Sequence, residues 1–147
     1  MKQQRAIGFE IKCLSNMIRR KLDTTFSSPE FDGLTGAQNA MMGYIMDHEE
    51  TQDIFQKDIE EEFNIRRSSA TVMLQGLEQR GYIRRTQIEK DARLKKIELT
   101  EKARKLQKRV RAEINQFNEQ LEKDLSQEEK EEFFRLLDKI KSNLKEV

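Results

Sequence analysis

Apolar residues return every three or four positions along most of this chain, the period of helices packed on one side. Ile7, Ile11, Leu14, Ile18 and Leu22 form one such stripe, with Phe9, Cys13 and Met17 beside it, and predict a long first helix. "FSSPEFDG" breaks it through Pro29 and Gly33. A second helix is expected from "LTGAQ" through "NAMMGYIMDHEE": Thr35 can accept a backbone N–H, Gln38 can reach back, and Leu34 precedes them as an apolar staple. Ile54, Phe55, Ile59 and Phe63 predict a short third helix and "FNI" a turn. "RRSSATVMLQGLEQRG" predicts a fourth helix with Ala70, Met73, Leu74 and Leu77 on one face and Gly81 just past its end.

The period then changes. Tyr82 to Thr86 and Lys96 to Leu99 read as two short strands around the loop "QIEKDARLK". A hairpin this small is marginal alone and must lean on neighbouring helices. Thr100 is placed to cap a fifth helix to about residue 124, striped by Leu106, Val110, Ile114, Phe117 and Leu121. At ~1.5 Å per residue it would run roughly 37 Å, far more than the hairpin can cover. Ser126 and Glu129 form a capping box before a sixth helix striped by Phe133, Leu136, Leu137, Ile140 and Leu144. Short helix, turn, helix and hairpin is the order of a winged helix-turn-helix. The expected fold is therefore mainly α with a small β-hairpin wing, in a single domain over 1–147. Its winged-helix region spans about 34–100, and the stretches about 1–33 and 101–147 form a dimerisation region, because their apolar stripes lack cover within the chain.

Composition narrows the function. No apolar run in the 147 residues approaches the ~20 needed to span a bilayer, and the first sixteen residues carry charges where a signal peptide is apolar, so a cytoplasmic protein without a membrane partner is expected. One cysteine and one histidine leave no disulfide and no Cys/His zinc site, so no metal or other cofactor is expected. Six scattered glycines and no nucleophile–base pairing argue against an enzyme. Net charge is only +1, but between Arg66 and Lys96 nine basic residues face three acidic ones. That segment carries +6, leaving −5 for the rest, part of it in "DIEEEF" at 58–63.

The basic segment coincides with the proposed reading helix and wing. A helix fits the major groove with its N-terminal residues at base edges, and a cationic hairpin beside it can reach the minor groove or backbone. Arg66, Arg67, Ser68, Ser69 and Thr71 open that helix, with Gln75 one turn beyond Thr71. Arginine and serine also occur at solvated helix starts. In the wing, Arg84, Arg85, Lys90, Arg93, Lys95 and Lys96 gather six cations around one hairpin. Edge-strand protection by lysine explains one or two of them, and a polyanion such as double-stranded DNA explains all six.

"LTGAQ", "DIEEEFNIRRSSATVMLQGLEQRGYIRR", "DAR" and "IELTEKA" occur in the order and at about the spacing seen in the MarR family of bacterial winged-helix regulators, which this sequence resembles over nearly its whole length. The run Leu77, Glu78, Gly81, the wing pair Asp91 and Arg93, and Leu99–Thr100 carry the resemblance together. It implies that Arg93 is a wing-tip arginine entering the minor groove and that Asp91 orients the wing through an ion pair. It implies a homodimer whose first, fifth and sixth helices interlock, set on a pseudo-palindromic operator. Alanine stands between Asp91 and Arg93 where many members have arginine, and Lys102–Ala103 where a glycine often falls. The function expected is a sequence-specific DNA-binding transcriptional regulator, a dimeric repressor released by a small-molecule effector. The alternative is a winged-helix dimer acting through protein–protein contacts without binding DNA.

A sensing site is less legible. Family members often bind small aromatic molecules between dimer base and reading head, and "AMMGYIM" places Met41, Met42, Tyr44 and Ile45 on the second helix as effector-binding candidates. Methionines at this spacing more often serve as core filler. Cys13, on the stripe from Phe9 to Met17, is expected as buried packing rather than a peroxide sensor. His48 with Asp47, Glu49 and Glu50 reads equally as a metal cluster or a solvated helix end.

Overall fold

The computed structural model describes residues 4–88 and 91–145. In chain order the elements are α1 (Ile7–Thr25), α2 (Gly36–His48), α3 (Gln56–Phe63), α4 (Arg67–Gln79), β1 (Ile83–Ile88), β2 (Asp91–Leu99), α5 (Glu101–Glu122) and α6 (Gln127–Leu144), with a 3₁₀ turn at Pro29–Phe31. This is the mainly helical winged architecture that the periodicity predicts. The chain divides into two compact units after Arg111, within α5. None of the helices is long and apolar enough to cross a membrane among the described residues.

The first unit owns the core. Met41, Met42 and Ile45 of α2, Ile59 of α3, Ala70, Leu74 and Leu77 of α4, Ile83, Ile97 and Leu99 of the hairpin, and Ala103, Leu106 and Val110 of α5 are all buried. Both predicted capping boxes form. Thr35 Oγ1 accepts the Gln38 N–H at 3.1 Å while Gln38 Oε1 accepts the Thr35 N–H at 2.9 Å. Ser126 and Glu129 do the same at 3.1 and 2.9 Å.

Helix α3 starts later than the apolar spacing predicts. Ile54 is buried but not helical: its carbonyl accepts the Ile97 N–H at 2.7 Å, so strand β2 holds it extended. Phe55 is then the N-cap residue, and Asp58 Oδ2 accepts its N–H at 2.8 Å. Asn64, in the left-handed region at φ 49°, ends α3 and turns the chain into α4.

Helix α4 stops where Gly81 takes φ 79°, a conformation costly for any residue with a Cβ. The Tyr82 N–H returns to the Leu77 carbonyl at 2.9 Å and the Gly81 N–H to Glu78 at 3.1 Å, the double closure of a Schellman end. This sets the direction of β1. Thr100 closes the base of the hairpin: its hydroxyl donates to the Gly81 carbonyl at 2.7 Å, and the same oxygen accepts the Ala103 N–H at 3.3 Å to cap α5.

The hairpin is longer than the predicted pair of short strands. Antiparallel pairing runs from Ile83–Leu99 through Gln87–Lys95, and after an irregularity Ile88 pairs Asp91. Most of the predicted loop "QIEKDARLK" is therefore strand, because backbone ladder bonds need no apolar side chains. Two ionic clusters fasten the hairpin's surroundings. Glu49, its side chain 9% exposed, accepts both Nε and Nη2 of Arg104 on Oε1 at 3.0 and 2.7 Å, and the Leu99 N–H on Oε2 at 3.2 Å. Asp32, left-handed at φ 56°, accepts the Tyr82 hydroxyl and lies 3.2 Å from Arg80, while Lys102 sits 4.3 Å above the Tyr82 ring.

Away from this core the helices keep bare apolar faces. Helix α1 has no buried residue among the described ones, and Cys13 is only half-buried, which overturns its reading as a buried filler in the isolated chain. Burial on α5 stops at Val110, leaving Ile114 and Phe117 half-buried and Leu121 exposed. In the second unit, α6 likewise buries nothing among the described residues, and Phe133, Phe134, Leu136 and Leu144 are exposed.

Burial first, and then the bond to Asp32, push the Tyr82 hydroxyl from an ordinary 10.0 up to about 12. A folded-state value above the unfolded one gives a contribution that is complete below pH 10 and lost as pH rises toward 12. The expected outcome is that chemical denaturation at stepped pH shows stability falling between pH 10 and 12 in wild type, with a shallower fall in Tyr82→Phe.

Candidate nucleic-acid interface

The turn between α3 and α4 presents the start of α4 outward. Arg66 is its N-cap residue and offers no side-chain acceptor, so the first-turn N–H groups remain uncapped by a side chain. Such an end attracts anions. Arg66, Arg67, Ser68, Ser69 and Gln75 are all exposed, as a reading face requires. Thr71 differs. It is half-buried, and its Oγ1 accepts Gln56 Nε2 at 2.9 Å while the same amide reaches the Arg67 carbonyl at 3.3 Å. Gln56 thus brackets the first turn of α4 against the start of α3, and the Thr71 hydroxyl is committed to that bracket.

Between this bracket and the wing lies a cleft of about 410 Å³. Lys57, Arg67, Arg85, Arg93 and Lys95 line it, with Glu60 as its one acidic member among the described residues. Arg67 and Arg93, far apart in sequence, therefore share one surface. The apolar floor comes from Phe55, Leu94 and Ile97.

Strand register explains which wing cations face the cleft. Ile83, Arg85 and Gln87 alternate on one side of β1, opposite Leu99, Ile97 and Lys95. Since Ile83, Ile97 and Leu99 point into the core, Arg85 continues the inner face, its side chain only 17% exposed. Its Nε and Nη2 have no hydrogen-bond partner among the described residues. Glu78 lies 3.7 Å from Nε, close enough for Coulomb attraction and too far for a hydrogen bond. Buried guanidinium donors left in this state are costly, and an anion in the cleft would satisfy them. Arg84, on the other face of β1 opposite Glu98, is exposed and outside this cleft. A count of two residues from Ile83 would have singled out Arg85.

At the wing, Arg93 is 92% exposed. Asp91 Oδ1 accepts the Arg93 N–H at 2.9 Å and lies 3.6 Å from its Nε. Lys90 lies outside the described residues. Lys96 does not join the other cations: it bridges Asp53 and Glu98, each at 3.2 Å, on the outer face of the hairpin. Hydrogen bonds that it donates to Glu98 and then to Asp53 raise its pKa. Six wing cations awaiting one external anion is therefore an overcount, because Lys96 is already neutralised.

The four effector candidates lie elsewhere. Met41, Met42 and Ile45 are fully buried core, and Tyr44 is half-buried, stacked 4.3 Å from the His48 ring and 6.0 Å from Phe63. Desolvation, then the charges of Asp58 and Glu62, raise the Tyr44 pKa. None of the four lines the cleft. Two of the three acids around His48 are engaged by arginines, Asp47 by Arg111 and Glu49 by Arg104, and among the described residues no cluster could hold a metal ion.

Residues 32–94 match the model of the MarR family. No curated protein matches the chain. Among solved structures, the S. aureus MepR–DNA complex is 25% identical, with TM-score 0.87 over 97% of this chain and 100% of that one. MepR in its DNA-binding conformation is 25% identical, with TM-score 0.84 over 96% and 100%. The transcription regulator MarR from Oenococcus oeni PSU-1 is 29% identical, with TM-score 0.77 over 93% and 99%.

The orphaned donors of Arg85 generate a prediction. Arg85→Met keeps the stem, removes the two unmet donors and should raise stability by about 1 kcal/mol in urea unfolding. A loss of stability would mean that the contact with Glu78 outweighs desolvation.

Proposed function

We propose that this chain, whose residues 32–94 match the MarR family model and whose fold matches DNA-bound and DNA-binding MarR-type regulators, is a DNA-binding transcription regulator that works as a sequence-specific homodimeric repressor on a pseudo-palindromic operator. The observation that carries this reading is the convergence of Arg67, Arg85, Arg93 and Lys95 on one cleft beside the exposed start of α4. Cations gathered this closely repel one another, and duplex phosphates relieve that repulsion. Arg66, Arg67, Ser68, Ser69 and Gln75 meet the major groove, Thr71 holds the helix for them, and Arg93 enters the minor groove with Asp91 setting its direction. Arg84, Lys90 and Lys95 serve the flanking backbone.

Homodimerisation is supported by the apolar faces that the chain leaves bare. Ile7, Phe9 and Met17 of α1 are more than 60% exposed, and Leu144 of α6 is 78% exposed. Stripes of this kind are an aggregation hazard unless a second copy covers them. In this arrangement 1–33 and 101–147 form the dimer base and 34–100 the reading head, and twofold symmetry sets two reading helices about 34 Å apart. A small aromatic effector releases the repressor from α2, where Tyr44 is the accessible member of Met41, Met42, Tyr44 and Ile45. The other three are reached only if the packing of α2 opens.

Footprinting on the DNA upstream of its own coding region tests the assignment, with protection of a near-palindrome expected. Binding should weaken with salt at a log–log slope steeper than about −3, and Arg67→Ala or Arg93→Ala should each make the slope shallower by about 1 while the protein stays folded. A flat salt response would falsify direct DNA binding in favour of a protein partner. Sedimentation should give twice the mass of one chain, and Phe133→Glu should shift it toward a single copy.

A further inference from the structure

Val72 is 69% exposed on α4, and it is the one large apolar side chain so exposed on that helix among the described residues. Ser68, Val72, Gln75 and Gln79, at i, i+4, i+7 and i+11, make one continuous outward stripe, and all four are exposed. Nothing local calls for valine there: a β-branched residue on an exposed helix face loses side-chain freedom, and its methyls meet solvent. The bare apolar residues of α1 and α6 differ because they lie in extended stripes, whereas Val72 is flanked by hydroxyls and amides.

The neighbours of Val72 narrow what it can touch. Thr71 turns inward and is bound by Gln56, so it is withdrawn from the outward face. Ser68 and Gln75 stand on either side of Val72, one turn away in each direction. We propose that Val72 is a specificity-determining residue that packs on the 5-methyl group of a thymine in each operator half-site. This inference rests on the reading of α4 as the helix that enters the major groove. Donors and acceptors line that groove, and the thymine methyl is its apolar feature. Seated over a cytosine amino group or a guanine oxygen, the valine methyls would strip water from a polar atom and give it no partner. Seated on a thymine methyl, they bury apolar surface on both sides. Gln75, one turn on, is then within reach of an adenine edge close to that thymine.

The test removes one methyl from DNA and one side chain from protein. Each thymine of the footprinted duplex is replaced in turn by deoxyuridine, which keeps every hydrogen-bonding group and deletes only the methyl, and affinities are measured by fluorescence anisotropy for wild type and Val72→Ala. At one thymine per half-site, wild type should bind the deoxyuridine duplex about fourfold more weakly, the worth of one buried methyl. Val72→Ala should bind the parent duplex more weakly and treat thymine and deoxyuridine alike at that position. Because Val72 is exposed and alanine favours helix, the variant should fold as wild type does, which circular dichroism checks. Equal binding by wild type at every substituted position overturns the inference, as does a methyl preference unchanged in Val72→Ala. If wild type binds no duplex at all, the DNA-binding reading itself fails and this inference falls with it.

Discussion

A two-stranded hairpin has too little apolar surface to hold itself in water, and the cleft beside α4 depends on how this one is held. Ile83, Ile97 and Leu99 sink into the core with Leu74, Leu77 and Ile45, so the inner face of the wing is part of the helical interior. Hydrogen bonds then fix its position at three points. Ile97 donates to Ile54, Leu99 to the Glu49 carboxylate, and Thr100 to the carbonyls of Gly81 and Tyr82. Arg93 can stand in solvent because the root of its hairpin is anchored this way.

The same anchoring sorts the charges. Arg85 and Lys96 both lie on the hairpin, yet the alternation of a strand sends them to opposite faces with opposite fates. Lys96 finds two carboxylates and is spent on structure. Arg85 is carried inward along the core face, where Glu78 stops short of a hydrogen bond and leaves two donors unmet. A protein tolerates such a defect most readily where a ligand repairs it, and this one opens on the cleft that Arg67 and Arg93 also line. Gln56 completes the arrangement by locking Thr71, which steadies the first turn of α4 and leaves Ser68, Val72 and Gln75 facing outward.

The distribution of apolar surface separates two kinds of element. Helices α2, α3 and α4 and the hairpin contribute the buried core, while α1 and α6 contribute no buried residue among the described ones. Helix α5 shows both behaviours along its length, buried at Leu106 and Val110 and exposed at Leu121. Folding of one chain thus gives these elements a buried core and leaves α1 and α6 with bare apolar faces.

Local chemistry made much of this legible in the sequence. The helices at α1, α2, α4, α5 and α6, the capping boxes at Thr35 and Ser126, and the turn at Gly81 each depend on residues within a few positions of one another, so spacing alone exposed them. Arg66, Arg67 and Gln75 were legible as an exposed basic and polar face for the same reason. The start of α3, the length of the wing, the burial of Arg85, the neutralisation of Lys96, the locking of Thr71, the partial burial of Cys13 and the exposure of Val72 were decided by tertiary structure. Each depends on a partner far along the chain, such as Ile97 for Ile54, Asp53 for Lys96 or Gln56 for Thr71, or on which face of an element meets the core. Periodicity tells which residues share a face, and only packing determines whether that face is covered, by what, and which donors are left without an acceptor.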